Sequence, residues 1–406
     1  MKDKTKVIII GGGAAGFFAA INMAESNPEL DVTILEKSGK VLQKVKVSGG
    51  GRCNVTHACF DPKELIEYYP RGKKELLGPF HTFMTGDTIE WFDKKGVSLK
   101  IEEDLRMFPE SNSSQTILDC FIKSAEHAGV KVLLNENVMK IDKVDSQFNI
   151  QTKNAQFTAD FLLIASGGNT KIWEIIKSLG HHIIDPVPSL FTFNIKDPIL
   201  KDIPGLSVPD AHISIEKGLF ESNGPLLITH WGLSGPGILK LSSIAANHLA
   251  SLNYKFSVTV NWLNIAYEEV FQYLKNQRNQ HPKKNVQLRS CYEQISKRLW
   301  SKFVVSAGIK PSQNWSDLSN QQLEQLAEKL TKTELTSHGK TTFKEEFVTA
   351  GGVDLKEVNF KRFESRIVEN LFFAGEVLNI DGLTGGFNFQ NAWTGGYIAA
   401  RAIAPV

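Results

Sequence analysis

The fold of this chain is decided by residues 6–36, KVIIIGGGAAGFFAAINMAESNPELDVTILE. The β-branched run KVIII (6–10) predicts a buried parallel strand, and AAGFFAAINMAE (14–25) predicts a helix with small residues at its start. DVTILE (31–36) predicts a second strand. A strand, a glycine turn, a helix and a strand in this order predict a βαβ unit.

The glycine turn matches the pattern GxGxxG from Gly11 to Gly16. Gly11 would permit a tight turn, Gly13 would let a pyrophosphate approach the backbone, and Gly16 would let the helix pack on the strand. The N-terminus of the helix offers N–H groups to phosphate. Glu36, at the end of the second strand, would accept ribose hydroxyls and disfavour a 2′-phosphate. This context predicts a dinucleotide site but does not choose the dinucleotide.

Two further glycine turns follow. Three glycines in SGGGRCN (48–54) are costly to order, which is expected where backbone passes a flat or anionic ligand. Arg52 is predicted to meet pyrophosphate, and Asn54 to bond to the sugar chain or ring of the cofactor. Cys53, spaced C-x5-C from Cys59, is interpreted as a plain cysteine, since a redox role needs a lowered pKa. A second turn, ASGG (165–168), ends a strand predicted at 160–165 and is either a cofactor turn or an ordinary strand end.

The C-terminal run LFFAGEVLNIDGLTGGFNFQNAWTGG (371–396) carries the second strong signal. A buried strand would deliver Gly375 and Glu376 to the carboxyl edge of the sheet, where ligands bind in open α/β folds. Its glycines predict a loop before a last helix that begins around Asn388. The N-terminus of this helix, near Phe387, is predicted to point at the pyrimidine edge of a flavin, where negative charge accumulates on reduction. The alternative is a surface loop without a ligand.

The segments VIIIGGGAAG (7–16), SGGGRCNVT (48–56), THWGLSGP (229–236) and the C-terminal run resemble those of one family of bacterial flavoproteins. These are NAD(P)/FAD-dependent oxidoreductases, including aminoacetone-oxidase-like proteins and 3-dehydro-bile-acid reductases. The resemblance covers essentially the whole chain, and GGGRCN and GGxNFQ are its specific elements. It implies FAD and contacts at Ala15, Glu36, the 49–54 loop, Val138 (through its backbone), Asp381 and Asn388. The predicted cofactor-binding residues are Gly11, Gly13, Ala14, Ala15, Gly16, Glu36, Lys37, Gly50, Gly51, Arg52, Cys53, Asn54, Val138, Ala165, Ser166, Gly167, Gly375, Glu376, Asp381, Gly386, Phe387 and Asn388.

The same resemblance implies an α/β fold with a discontinuous Rossmann-like FAD-binding domain, an inserted β-barrel-like domain and a helical subdomain. We predict the FAD-binding domain at 1–187 and 344–406, the β domain at 188–262 and 335–343, and the helical subdomain at 263–334. Within the last, residues 287–303 are predicted to be helical, with Leu288 and Leu299 on one face. Ser319 to Gln322 predict a capping box.

Composition bears on partners and location. Apolar residues make up 42% of the 406 residues and the net charge is +2, so no nucleic-acid partner is predicted from the overall charge. The longest apolar runs are too short to span a membrane, and the start of the chain leaves no room for a signal peptide. Four cysteines form no CxxC pair, so no metal is predicted and a cytoplasmic location is expected. The Lys-rich stretches of the helical insert are interpreted as a solvated face rather than a partner surface.

Only one dinucleotide fingerprint is found, which leaves two options for the reaction. Either the substrate reduces the flavin and oxygen reoxidises it, or NAD(P)H visits as a transient reductant. We expect hydride transfer at flavin N5 with a small or ring-shaped organic substrate. His230, beside Trp231, is a weak candidate for the proton donor. The alternatives are an amine oxidase, a non-catalytic redox sensor, a flavin-assisted nucleic-acid-modifying protein and an NAD-linked dehydrogenase; the substrate and the oligomeric state stay open.

Overall fold

A computed structural model describes residues 4–341 and 348–405. The chain divides into two compact units. The first comprises the described residues up to Val187 and from Val348 onward, and the second those from Pro188 to Thr341. The sequence TTFKEEFVT also predicts a strand at 341–349, of which residues 342–347 lie outside the described residues.

The first pass of the chain through the first unit mixes strands and helices. The strands are β1 (Thr5–Ile10), β2 (Leu30–Leu35), β3 (Thr56–His57), β4 (Leu99–Ile101), β5 (Arg106–Pro109), β6 (Lys131–Leu133), β7 (Val138–Val144), β8 (Gln147–Thr152), β9 (Gln156–Ala159), β10 (Phe161–Ile164) and β11 (Ile183–Ser189). The helices are α1 (Ala14–Ser26), α2 (Gln43–Gly51), α3 (Pro62–Leu65), α4 (Lys73–Phe80), α5 (Thr85–Lys94), α6 (Ser114–His127) and α7 (Thr170–Ser178).

The chain then builds the second unit and returns to the first. The second unit contains β12 (Thr192–Ile195), β13 (Ser207–Ile215), β14 (Phe220–Ile228), β15 (Gly232–Ser234), α8 (Pro236–Ile244), α9 (Ala246–Ser251), β16 (Lys255–Asn261), α10 (Tyr267–Gln280), α11 (Lys297–Ser306), α12 (Asn320–Thr331) and β17 (Thr333–Thr341). The return adds β18 (Val348–Val353), β19 (Val358–Asn359), β20 (Glu364–Ser365), β21 (Leu371–Phe373) and α13 (Phe387–Ile403).

A seven-stranded sheet, in the order β19-β20-β21-β10-β1-β2-β6, organises the first unit. The strands from β21 to β6 are parallel, with Ile9 opposite both Leu163 of β10 and Ile34 of β2. These side chains are fully buried, as expected for strands covered on both faces. The predicted βαβ unit and the α/β fold class with its Rossmann-like domain are confirmed.

Helices α1 and α13 pack closely because their facing residues are small. A Cβ added at Gly396 would lie 3.0 Å from the Ala15 carbonyl oxygen, and one at Gly375 would lie 3.2 Å from Ala15 Cβ. Beside this contact, Phe18 packs against Trp393 with ring centroids 5.3 Å apart. The C-terminal helix is therefore held against the helix that follows the glycine turn.

The second unit is a closed six-stranded barrel, β12-β15-β14-β13-β16-β17, joined to the helices α10 to α12. The barrel-like character expected of the insert is confirmed. Between β16 and β17 the chain forms a helical cluster whose buried side chains, among them Trp262, Trp300 and Leu326, are continuous with the barrel core. The capping box is confirmed, because Ser319 Oγ accepts from Gln322 N–H at 3.1 Å and Gln322 Oε1 accepts from Ser319 N–H at 3.2 Å.

The helix predicted at 287–303 is wrong in its first half. Helix α11 begins only at Lys297, because Ser296 caps it with its hydroxyl on Leu299 N–H. Residues before it form a loop in which Val286 is buried and Leu288 is 65% exposed. The indole of Trp300 donates to the Val286 carbonyl at 2.7 Å, so tertiary contacts hold this loop instead of helical hydrogen bonds.

Candidate functional site

The geometry of the first glycine turn fits the three predicted roles. Gly11 has φ +113°, and a Cβ there would lie 2.5 Å from the Ala165 carbonyl oxygen. A Cβ at Gly16 would lie 2.1 Å from the Gly11 carbonyl oxygen, so the helix could not approach the strand. A Cβ at Gly13 would meet no heavy atom of the described residues within 4 Å. There is thus no room for a side chain at Gly11 or Gly16, whereas the space beside Gly13 is open.

The carboxylate of Glu36 is held beside this turn. It accepts from Gly12 N–H at 2.8 Å and from Ser38 N–H at 2.9 Å. A cavity opens here, and its walls bring together predicted residues from four separate segments. The lining residues are Ile10, Gly11, Leu35, Glu36, Lys37, Glu136, Asn137, Val138, Ser166, Asn169 and Ile172. This arrangement of Glu36, Val138 and Ser166 suits a nucleoside with its ribose on the carboxylate.

The first three residues of the GGGRCN segment are also the last three of α2. Their backbone is left-handed, with φ +57° at Gly49, +68° at Gly50 and +83° at Gly51. Gly50 and Gly51 are exposed, so their backbone is accessible to a ligand. Arg52 stacks on the Phe108 ring, 3.9 Å from its centroid, and pairs with Glu102 at 2.5 Å. In this structure the Arg52 side chain therefore has a protein partner, and the contact predicted with pyrophosphate stays a prediction.

Cys53 follows in the same loop and is fully buried. Burial raises the pKa of its thiol to about 12, opposed by a hydrogen bond with Ser48. Cys59 is also buried, and burial raises the pKa of its thiol. Both thiols are protonated at neutral pH and both are free. This agrees with the interpretation of Cys53 as a plain cysteine.

Asn54 lies where the GGGRCN loop meets the C-terminal turn. It is buried, and within the described residues its Oδ1 has no hydrogen-bond partner. A Cβ placed on Gly386, the N-cap of α13, would lie 2.9 Å from this oxygen. A buried acceptor without a donor is costly, so Asn54 Oδ1 fits a ligand that brings an N–H or O–H group.

The C-terminal turn is fastened by its own side chains. Asn388 Oδ1 accepts from Gly382 N–H at 2.8 Å, and its Nδ2 donates to the Gly382 carbonyl at 2.9 Å. Asp381 is fully buried, and both its carboxylate oxygens accept from the Arg71 guanidinium. Glu376 pairs with Lys44 at 2.5 Å. The side chains of Asp381 and Asn388 thus brace the turn, and their contacts with a cofactor stay predictions.

The glutamine of GGxNFQ is a structural residue. Gln390 Oε1 accepts from Thr56 Oγ1 at 2.6 Å and from Thr88 Oγ1 at 3.0 Å, and all three residues are buried. Gln390 Nε2 donates to Thr394 Oγ1 at 3.2 Å. This network fixes α13 against β3 and α5, and so it sets where the N-terminus of α13 points.

The sequence alone predicts no role for His57, which is interpreted as a solvent or core histidine. The structure places its ring 4.7 Å from the Phe387 ring, at the first residue of α13, and 5.4 Å from the Tyr68 ring. Burial lowers the pKa of His57, with Asp104 opposing, and its Nδ1 has no partner among the described residues. The available signal was its position directly after the motif SGGGRCNVT (48–56), three residues from Asn54.

The first unit contains the chemical groups that FAD requires. The N-caps of α1 and α13 are Gly13 and Gly386, which carry no side chain, so the first N–H groups of both helices are not capped by these residues. One such terminus suits a pyrophosphate and the other the electron-rich end of a flavin. The buried acceptor of Asn54 lies beside the second. The residues present therefore fit FAD.

His230 and Trp231 belong to the second unit, at the tip of the β14–β15 hairpin. Thr229 closes this tip, since its Oγ1 accepts from Trp231 N–H and Gly232 N–H, both at 3.2 Å. His230 is exposed and Trp231 is 57% exposed. A catalytic role for His230 stays a prediction.

Two kinds of feature are absent from the part of the chain that is described. There, no three His, Cys, Asp or Glu side chains come together as a metal site would require. Across residues 4–341 and 348–405, every helix is too short or too polar to cross a membrane.

Comparison with known proteins connects this geometry to a family. The model of the HI0933-like protein Rossmann domain matches residues 5–402. Two relatives named ribosomal RNA dihydrouridine synthase, from Haemophilus influenzae and Escherichia coli, are each 28% identical to this chain. Each alignment covers at least 98% of both proteins. The names of these relatives differ from the prediction, made from the overall charge, that nucleic acid is not a partner.

A third relative, a 3-dehydro-bile acid delta(4,6)-reductase from Clostridium scindens, is 28% identical over 98% of this chain and 99% of that protein. Among solved structures, a 3-ketosteroid-Δ4-(5α)-dehydrogenase from Rhodococcus jostii superimposes with a TM-score of 0.51. It is 13% identical, and 99% of this chain and 97% of that one are covered, so it supports the fold alone. The chain is therefore a member of the HI0933-like Rossmann family and an FAD-dependent oxidoreductase.

Proposed function

We propose that this protein reduces a carbon–carbon double bond conjugated to a carbonyl group in a flat ring, with NAD(P)H as the reductant. The observation that carries the proposal is the cradle formed in the first unit by the two uncapped helix N-termini and the buried Asn54 acceptor. That cradle suits a flavin whose ring lies near the N-terminus of α13. A helix N-terminus there stabilises the negative charge of reduced flavin.

The direction of the reaction is supported by the names of the relatives. Dihydrouridine differs from uridine by two hydrogens across a double bond conjugated to a carbonyl. A delta(4,6)-reductase acting on a 3-dehydro-bile acid also adds hydrogen across double bonds conjugated to a carbonyl. Two different substrates thus share one chemistry, and this chain is equally identical to both groups. We propose the shared chemistry for this chain.

In this proposal the N-terminus of α1 binds pyrophosphate over the open Gly13, and Glu36 orients the adenosine ribose. FAD, when bound, supplies a ring nitrogen, N5, at which hydride can be exchanged. The chain itself must hold a proton for the second carbon of the double bond. His57 and His230 are the two candidates, the first because it contacts Phe387 and the second because it is exposed beside Trp231.

The test is an anaerobic titration of the FAD-loaded protein with NADH and NADPH, followed at about 450 nm. Reduced protein is then mixed with a 3-keto-Δ4 steroid or with a uridine-containing RNA, and the product is analysed by mass spectrometry for a gain of two hydrogens. We expect bleaching by one nicotinamide and reduction of one of the two substrates. Failure of both reductants, together with oxidation of amines in air, would replace the proposal with the amine-oxidase alternative.

A further inference from the structure

The overall charge of +2 conceals a strongly basic segment. Residues 275–310 contain nine Lys or Arg and a single acid, Glu293. The segment includes the end of α10, the loop that precedes α11, and α11 itself. The remainder of the chain is consequently net acidic, so the near-neutral total does not describe this surface.

Tertiary hydrogen bonds hold the loop that precedes α11 against α11 and against residues 311–315. Gln287 Nε2 donates to Ser301 Oγ at 2.6 Å, and Trp315 N–H donates to the Lys284 carbonyl at 3.0 Å. Asn285 Nδ2 donates to the Pro311 carbonyl at 2.8 Å, which brings the residue after Lys310 beside the loop. The exposed cations on these joined pieces define the basic surface: Lys283, Lys284, Arg289, Lys297, Arg298 and Lys310.

These cations have no carboxylate partners among residues 4–341 and 348–405. The only acid of the segment, Glu293, is exposed, and the nearby Asp317 accepts from Asn314 N–H at 2.8 Å instead. Elsewhere the chain pairs its cations readily, as in Lys131 with Asp31. Several unpaired cations held on one surface repel each other, which a polyanion would relieve.

The rest of the surface favours a nucleic-acid backbone over a lipid bilayer. Helix α11 turns four of its five apolar side chains, Leu299, Trp300, Phe303 and Val304, into the core of its own unit, and only the small side chain of Val305 is exposed. A helix bound at a membrane would instead present an apolar face to the lipid. The segment is rich in Asn and Gln, whose amides suit phosphate and sugar contacts.

We propose that the basic surface binds the phosphate backbone of a structured RNA. The choice of RNA rests on the proposed function, because reduction of a uracil ring is one of its two forms. Phosphate binding by the surface is argued from charge and placement. A substrate as large as RNA can contact a surface remote from the reacting base, so this inference needs no particular arrangement of the two units.

The test compares two variants of the FAD-loaded full chain that lose the same charge from the same unit. The first changes Lys283, Lys284, Arg289 and Arg298 to Gln. The control changes Lys196, Lys201, Lys240 and Lys255 to Gln, which are exposed in the same unit outside the basic segment. Binding of a fluorescein-labelled RNA hairpin is measured by anisotropy between 50 and 200 mM KCl. Vesicles containing phosphatidylserine are assayed in parallel, and circular dichroism verifies that both variants are folded.

We expect the first variant to lose at least tenfold in RNA affinity at 100 mM KCl. Its slope of log K against log salt should fall by about 3, since each phosphate contact contributes about 0.7 to 0.9. The control should stay within twofold of the unmodified protein. Equal loss in both variants, or binding of vesicles but not RNA, would overturn the inference. If RNA binds through the surface but neither nicotinamide bleaches the flavin, the proposed function fails and the RNA site stands.

Discussion

Alanine substitutions at Gly13 and Gly16 should separate cofactor binding from folding. The two glycines lie three residues apart in one turn, yet their surroundings are opposite. Gly13 has φ −97°, which alanine adopts without strain, and a Cβ there meets nothing in the described residues within 4 Å. A Cβ at Gly16 would lie 2.1 Å from a backbone oxygen, which no rotamer change can relieve.

The magnitudes follow from these contacts. Gly16→Ala forces α1 away from β1, and overpacking of this kind typically costs about 1–3 kcal/mol of folding free energy. Gly13→Ala should leave the free energy of unfolding unchanged or raise it by about 0.4–1 kcal/mol, because alanine restricts the unfolded chain. The new methyl group would occupy the space of the pyrophosphate. Loss of one hydrogen bond to a charged group, about 1.5–3 kcal/mol, weakens FAD binding by about 10- to 150-fold.

Two measurements test this. Thermal unfolding of the apoproteins should give Gly13→Ala a melting temperature at or above that of the unmodified protein and Gly16→Ala a lower one. Titration of FAD, followed by quenching of flavin fluorescence, should show weak binding by Gly13→Ala despite its intact fold. Unchanged FAD affinity in Gly13→Ala would refute the placement of pyrophosphate over this turn.

Three other predictions concern stability and reactivity. Asp381→Asn breaks a buried ion pair and should lower the free energy of unfolding, measured in urea, by about 3–5 kcal/mol. Glu67→Gln, in an exposed pair, should leave the urea midpoint unchanged. Equal midpoints for the two variants would contradict this. Burial lowers the pKa values of His57 and His181 from 6.5, so the unfolded chain binds protons that the folded chain excludes. The free energy of unfolding should be constant above pH 6.5 and should fall below it by up to about 1.4 kcal/mol per pH unit for each histidine. His57→Gln should reduce the slope of this free energy against pH between pH 5 and 7, and an identical slope would count against this cause. Cys53, with its pKa raised to about 12, should resist iodoacetamide at pH 8 until the protein is unfolded, as peptide mapping would show, and rapid labelling of the native protein would contradict its burial.

Local patterns were sufficient to predict much of the first unit. From the sequence, residues 147–152 and 156–159 are expected to form a small hairpin around Lys153 and Asn154, and they form β8 and β9. The helix predicted at 14–25 is α1. These elements have apolar periodicity and glycine or polar boundaries within the segment itself. The glycine turns were also readable, because the requirement for a missing Cβ appears in the residue type.

Features that depend on distant residues were not predictable. Helices α2 to α5 went unrecognised because they are short and contain breakers such as Pro79 in α4. The contact of His57 with Phe387 joins residues 330 positions apart, and no local pattern reports it. Leu288 fitted a helical face by spacing alone, but Val286 occupies the core instead. The overall net charge of +2 does not reveal the basic surface, since a net charge contains no information about where the charges lie.

The order of strands in the first sheet has a consequence for synthesis of the protein. Strand β10 pairs with β1 on one side and with β21 on the other, and β21 is made only after the whole second unit. The barrel can close earlier, because its first and last strands pair, with Thr192 opposite Thr341. At a translation rate of about 5–20 residues per second, β21 is synthesised roughly 10–40 s after β10, and one edge of β10 is unpaired during that time. During that interval the nascent sheet has an open edge of the kind that recruits other chains, and α13 has yet to emerge. We therefore expect FAD to bind only after translation, and the yield of holoprotein to depend on how well the cell protects that edge.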